Sequence, residues 1–170
     1  MRELFGVLMQ SEVPMLIIGG HGLALHKVQR LTLDLDCMVA AVRRVELTAY
    51  LQRRGFEEMG RHQGFSRFRH RSLVYPILDV MAVDAGTWAK MEPSSISGEL
   101  FGYAVRVPSV AHYVAMKLHA TKNPERESKD LLDIISLVRA NRDKVSDAEL
   151  EEYCQRYAAP GYWAKLRASL

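Results

Sequence analysis

The chain is short of the features that mark many classes of protein. It has only two cysteines, Cys37 and Cys154, far apart in 170 residues. That argues against a disulfide-framed scaffold and for a cytoplasmic protein with reduced thiols. No apolar run approaches the roughly 18 residues that a membrane helix needs, so no membrane association is expected. The opening MRELFGVLMQSEV carries Glu3 and Glu12. It reads as an amphipathic helix and lacks the apolar run and cleavage site of a signal peptide. There is no H-E-x-x-H and no C-x-x-C, which argues against zinc, and there is no P-loop. No internal repeat or low-complexity segment appears.

What is present fits an ordinary folded domain. Apolar residues make up 48% and charged residues 25%, enough to build a core at this length. The front of the chain reads as an α/β core over residues 1–108, and residues 109–170 read as a helical region packed on it. Strands are expected at 15–18, 33–39, 56–59, 65–70, 73–83 and 103–107. Helices are expected at 2–12, 21–27, 45–54, 109–122 and 126–139, then from Ser146-Asp147-Ala148-Glu149, a capping-box pattern. The net charge of +3 is mild, but arginines concentrate between 43 and 71. Such a cluster is either the footprint of a polyanion or a solvated face.

The stretch IIGGHGLALHKVQRLTLDLD, residues 17–36, carries the densest pattern. An apolar strand ends in Gly19-Gly20, a short helix follows, and a second strand carries Asp34 and Asp36. Side chains alternate along a strand, so both carboxylates share a face with Cα atoms about 6.6 Å apart. Two carboxylates at about 4 Å repel by about 4 kcal/mol at an effective dielectric of 20. Protonation, solvation or a bound cation relieves that. Hard oxygen ligands favour Mg²⁺, with Mn²⁺ as a substitute. Glycines opening a helix let the backbone approach an anion. The unit therefore offers a phosphate seat beside a metal seat.

Gly19-Gly20, a helix, then Asp34-Leu35-Asp36 resembles the core of the nucleotidyltransferase superfamily that includes DNA polymerase beta. The run Arg30-Leu31-Thr32-Leu33-Asp34-Leu35-Asp36 resembles the R-x-T-x-D-x-D signature of small bacterial members, among them minimal nucleotidyltransferases and abortive-infection toxins. The resemblance implies a mixed central sheet with flanking helices, an α+β fold, and transfer of a nucleoside monophosphate from an NTP. The acceptor hydroxyl would lie on RNA or tRNA, a protein or a small molecule. A toxin would also imply a cognate antitoxin. The alternative is a non-catalytic nucleotide- or RNA-binding module that keeps the fold.

Within that resemblance, which implies a two-metal carboxylate mechanism, Asp34 and Asp36 are expected to bind both ions. Asp79, a lone carboxylate inside LVYPILDVMAV, is the expected third ligand and catalytic acid–base group, with Asp84 as the fallback. The alternative reading of Asp79 is a strand-end aspartate bonded to a backbone amide. Gly19, Gly20, His21, Arg30 and Thr32 are expected on the nucleotide side, although His21 departs from the small or hydroxyl residue usual there. Thr32 also suits a strand on propensity alone. Lys117 is expected to face the triphosphate, or else to bury its stem and reach water. Lys129 is weaker, because Arg126, Lys129, Asp130 and Asp133 at helical spacing also suit intrahelical ion pairs.

Overall fold

Alternation of apolar residues builds the sheet around which the rest is arranged. The computed structural model describes residues 1–62 and 64–170. Its five-stranded sheet runs β1 (Met15–Ile18), β2 (Leu35–Ala40), β5 (Leu78–Val83), β4 (Phe65–His70), β3 (Phe56–His62) in spatial order. β2 and β5 are parallel, and the other neighbours are antiparallel. On one face of the two central strands, Leu35, Cys37, Val39, Leu78 and Val80 are buried. Alternation then turns Asp36 and Asp79 to the other face. This is an α+β fold with a mixed sheet.

Helices α1 (Arg2–Met9), α2 (Gly19–Ala24), α3 (Arg44–Arg53) and α4 (Ala85–Met91) accompany that sheet, with a hairpin of β6 (Ile96–Leu100) and β7 (Tyr103–Val107). β6 is absent from the sequence expectations. Ile-Ser-Gly-Glu-Leu has little strand propensity, and pairing with β7 holds it. Two strand boundaries also move. β2 begins at Leu35, not Leu33, and Asp34 lies in the bend before it. Leu31 and Leu33 are exposed, so no core draws that segment into the sheet. β5 begins at Leu78, two residues beyond Pro76, and Leu73 and Val74 stay exposed outside it.

Contacts divide the chain into one unit of residues 1–25 and 29–108 and another of residues 26–28 and 109–170. The second unit is helical: α5 (Val110–Ala120), α6 (Pro124–Ala140), α7 (Asp147–Tyr157) and α8 (Tyr162–Arg167). Its starts follow capping chemistry. Ser109 accepts from the His112 amide, Asn123 from Glu125, and Ser146 and Glu149 form a reciprocal capping box. Tyr113, Val114, Leu118, Ile134, Leu137, Leu150 and Leu166 fill its core. The Asn141 side-chain amide donates to the His26 and Leu137 carbonyls, each at 2.9 Å. Leu132 is exposed; it lies off the stripe formed by Ile134, Leu137 and Val138. Among the described residues, no helix is long and apolar enough to cross a membrane.

Candidate active site

The aspartates come from adjacent strands of the first unit. Asp36 on β2 is the register partner of Asp79 on β5. Neighbouring strands lie about 4.8 Å apart, and paired residues share a face. Asp34 precedes Asp36 by two residues but sits in the bend, so the strand itself carries only one of the pair. The same row extends to both sides: Ile18 pairs with Asp36, and Arg67 on β4 pairs with Asp79.

The glycine turn abuts this row. Gly19 has φ +61°, and a Cβ placed on it would lie 2.0 Å from Oδ2 of Asp36. Only glycine permits that approach without moving the carboxylate, and its left-handed φ adds a second reason. A Cβ on Gly20 would lie 2.8 Å from Cβ of Thr32. Thr32 thus packs over the second glycine, and its hydroxyl donates to the Asp34 carbonyl at 3.4 Å. The sequence spacing between the glycines and the aspartates is a packing constraint: turn and acidic strand are built against each other. Gly19→Ala should therefore push Asp36 out of place. The expected result is a folded protein, destabilised by about 1–2 kcal/mol from the left-handed backbone, which thermal unfolding measures.

Asp79 is buried, its side chain only 6% exposed. Arg67 Nε donates to its Oδ1 at 2.8 Å and Arg67 Nη2 to its Oδ2 at 2.7 Å. This two-pronged, charge-assisted pair answers the cost of burying the carboxylate. The hydrogen bonds Arg67 donates to Asp79 and the Asp79 charge push the Arg67 pKa up, burial opposes them, and the charges of Asp34 and Asp36 add smaller upward contributions. Both remaining aspartates thus act on the same guanidinium. Sequence reasoning places Arg67 only in the general basic cluster. Pairing the buried Phe68 with the buried Leu78 as a β-hairpin would have set Arg67 opposite Asp79.

Asp84 is accounted for otherwise. It is exposed and caps α4, accepting from the Thr87 amide at 2.9 Å and the Thr87 hydroxyl at 2.7 Å. His21 is half-buried, with its ring edge-on to Phe5 and Phe101 at centroid distances of 6.2 and 5.5 Å. Burial first, then the amino-terminal charge and Arg30, lower its pKa. Its Nε2 is buried without a hydrogen-bond partner among the described residues. Arg30 is half-buried. A cleft of about 260 Å³ beside α1, β1 and β7, lined by Leu8, Met15, Trp88 and Arg106 among others, contains none of the aspartates.

Lys117 and Lys129 belong to the second unit. Lys117 does not reach water. Its Nζ donates to Asp130 Oδ1 at 2.7 Å and to Asp133 Oδ2 at 2.6 Å, all three groups buried. Arg126 Nε donates to Asp130 Oδ2 at 3.1 Å. Lys129 is exposed, on a different face from the buried Asp130 and Asp133. Four of the eight arginines between 43 and 71 have glutamate partners: Arg43 has Glu46, Arg44 and Arg61 share Glu58, and Arg71 has Glu57.

Among the described residues, no three acidic, His or Cys side chains converge as a ready metal cage. The donors that are present still suit a hard divalent cation. Asp34, Asp36 and Asp79 supply oxygen alone, and Mg²⁺ commonly takes one or two carboxylates with water and substrate phosphate.

The acidic row and the Gly19-Gly20 turn beside it sit on the fold of the nucleotidyltransferases. The likeness to solved structures extends over nearly the whole chain. The solution structure of the antibiotic-resistance factor ANT(2'')-Ia superposes with TM-score 0.69 and 18% identity, over 98% of this chain and 95% of that one. The crystal structure of ANT(2'')-Ia with adenylyl-2''-tobramycin gives TM-score 0.69 and 20% identity, over 92% and 98%. The lincomycin-bound lincosamide antibiotic adenylyltransferase LnuA gives 0.53 and 16%, over 80% and 94%. No protein-family model and no curated protein matches the sequence.

Proposed function

We propose that the chain is a Mg²⁺-dependent nucleotidyltransferase that moves a nucleoside monophosphate from an NTP to an acceptor hydroxyl, releasing pyrophosphate. The observation that carries this reading is the in-register pair Asp36–Asp79, with Asp34 two residues ahead and Gly19 packed directly on the Asp36 carboxylate. Asp34 and Asp36 would hold the cation, and Asp79 would complete the oxygen set. Those carboxylates would place a cation whose charge would offset that of the triphosphate and help align the acceptor oxygen. Gly19 and Gly20 keep the backbone close to the carboxylates on the nucleotide side, and His21 and Arg30 flank that turn. The acceptor O–H loses its proton to a carboxylate as the new O–P bond forms and the bond to pyrophosphate breaks.

Two observations favour a small-molecule acceptor over nucleic acid. Glutamates partner four of the eight arginines in the cluster, which weakens the polyanion footprint. The similar solved structures include adenylyltransferases of tobramycin-like and lincosamide antibiotics. A toxin role with a cognate antitoxin rests on sequence resemblance alone.

The second reading is a non-catalytic nucleotide- or RNA-binding module. The observation favouring it is Arg67, which engages both oxygens of Asp79. Label transfer separates the readings. The protein is incubated with Mg²⁺, each α-labelled NTP in turn, and hydroxyl-rich antibiotics, total RNA or a protein lysate. Labelled product supports the enzyme and names donor and acceptor class together. Binding of Mg²⁺–NTP without transfer to any acceptor supports the module.

A further inference from the structure

We propose that Arg67 is the resident counter-ion of the third carboxylate, and that a divalent cation takes Asp79 only by displacing it. This rests on the nucleotidyltransferase reading, in which the aspartates hold the cation. Asp79 cannot go to meet a cation elsewhere, because its side chain is 6% exposed and fixed in the middle of the sheet, whereas that of Arg67 is 49% exposed. Of the two partners, only the arginine has solvent to swing into. Its fork covers both carboxylate oxygens, one nitrogen on each. A cation drawn to Asp34 and Asp36 therefore meets an Asp79 already neutralised. Once the cation and the triphosphate arrive, the guanidinium has an alternative partner in phosphate oxygen, for which its planar fork is equally suited. Arg67 then acts as a positioning residue that ties completion of the acidic site to the arrival of substrate.

The test is Mn²⁺ titration of the metal-free protein by calorimetry, with no nucleotide. Arg67→Met should bind Mn²⁺ about tenfold more tightly than wild type, the size expected for freeing Asp79 from a charge-assisted hydrogen-bonded pair. Arg67→Lys keeps the charge but loses the fork, and should also bind more tightly than wild type. In an Asp79→Asn background, the gain from Arg67→Met should be clearly smaller, because only its charge near Asp34 and Asp36 is then removed. Thermal unfolding gives a second readout. Arg67→Met should melt lower than wild type without metal, because Asp79 is left unpaired, and should gain more from added Mn²⁺.

Several outcomes overturn the proposal. Weaker Mn²⁺ binding in Arg67→Met would make Arg67 a brace that presents Asp79 to the cation. Tighter binding in Arg67→Met with Arg67→Lys unchanged would reduce the effect to through-space charge. Equal Mn²⁺ affinity in all the proteins would remove Arg67 from the site while the nucleotidyltransferase reading stands. No Mn²⁺ binding to any of them would overturn that reading as well.

Discussion

Asp36→Asn should abolish nucleotidyl transfer while leaving the protein folded. Asn has the same shape, so it fits the space beside Gly19, where a Cβ would come within 2.0 Å of the Asp36 carboxylate. The change removes one negative charge from the row that Asp36 shares with Asp79. A loss of about a thousandfold or more is expected, because phosphoryl-type transfer depends almost wholly on charge placement, and single electrostatic groups in such sites contribute about 10²–10³ in rate. Stability should fall little, or rise slightly, since the change relieves repulsion within the acidic row. Activity retained within a few-fold, with melting unchanged, would remove Asp36 from the chemistry and sink the proposed function. Asp34→Asn is the companion variant. It lies outside the strand, in the bend that Thr32 helps to close, so its effect should fall on activity and leave the register of β2 untouched.

The local unit was legible because each of its parts obeys a short-range rule. A buried four-residue strand, a glycine pair and an alternating Leu-Asp-Leu-Asp run can each be read from neighbours alone. Asp79 was legible for the opposite reason: one carboxylate in an apolar run has no local excuse. What required the structure was pairing between distant segments. Nothing near Arg67 in sequence points to Asp79, and only the β4–β5 register joins them. The start of β2 was misplaced because alternation continues through Leu33, whereas burial, which decides strand extent, stops at Leu35. β6 was missed because its residues are poor strand formers held by a partner. The expectation for Lys117 shows a different failure. Its helix stripe of Val110, Tyr113, Val114 and Leu118 already includes position 117, and the stripe of Ile134, Leu137 and Val138 in the next helix continues back to Asp130 and Asp133. Two inward stripes, one carrying a cation and the other two carboxylates, signal a buried ion cluster; intrahelical spacing alone does not reveal it.

Lys117→Met should be among the most destabilising substitutions in the helical unit. Methionine matches the length of the lysine stem but removes the ammonium that serves Asp130 and Asp133 together. Asp130 is fully buried and, among the described residues, keeps Arg126, whose side chain is 53% exposed; Asp133 is 6% exposed. Removing one member of a buried charge cluster costs about 3–5 kcal/mol, because the buried carboxylates lose the cation they share. For a chain of this size that is a fall in melting temperature of about 10 °C. The penalty belongs to the stranded carboxylates, so it can be relieved without restoring the lysine. Adding Asp130→Asn and Asp133→Asn to Lys117→Met should recover much of the lost stability, since neutral amides cost less to bury than ions. A structural role predicts this thermodynamic coupling together with little change in nucleotide affinity for molecules that remain folded. The triphosphate-facing role predicts the reverse: near-normal melting and a large loss of NTP binding. Melting curves and NTP titrations on the same variants decide between them. The geometry favours the first outcome, because both carboxylates already lie within 2.7 Å of the ammonium, and an anionic phosphate would have to compete with them for it.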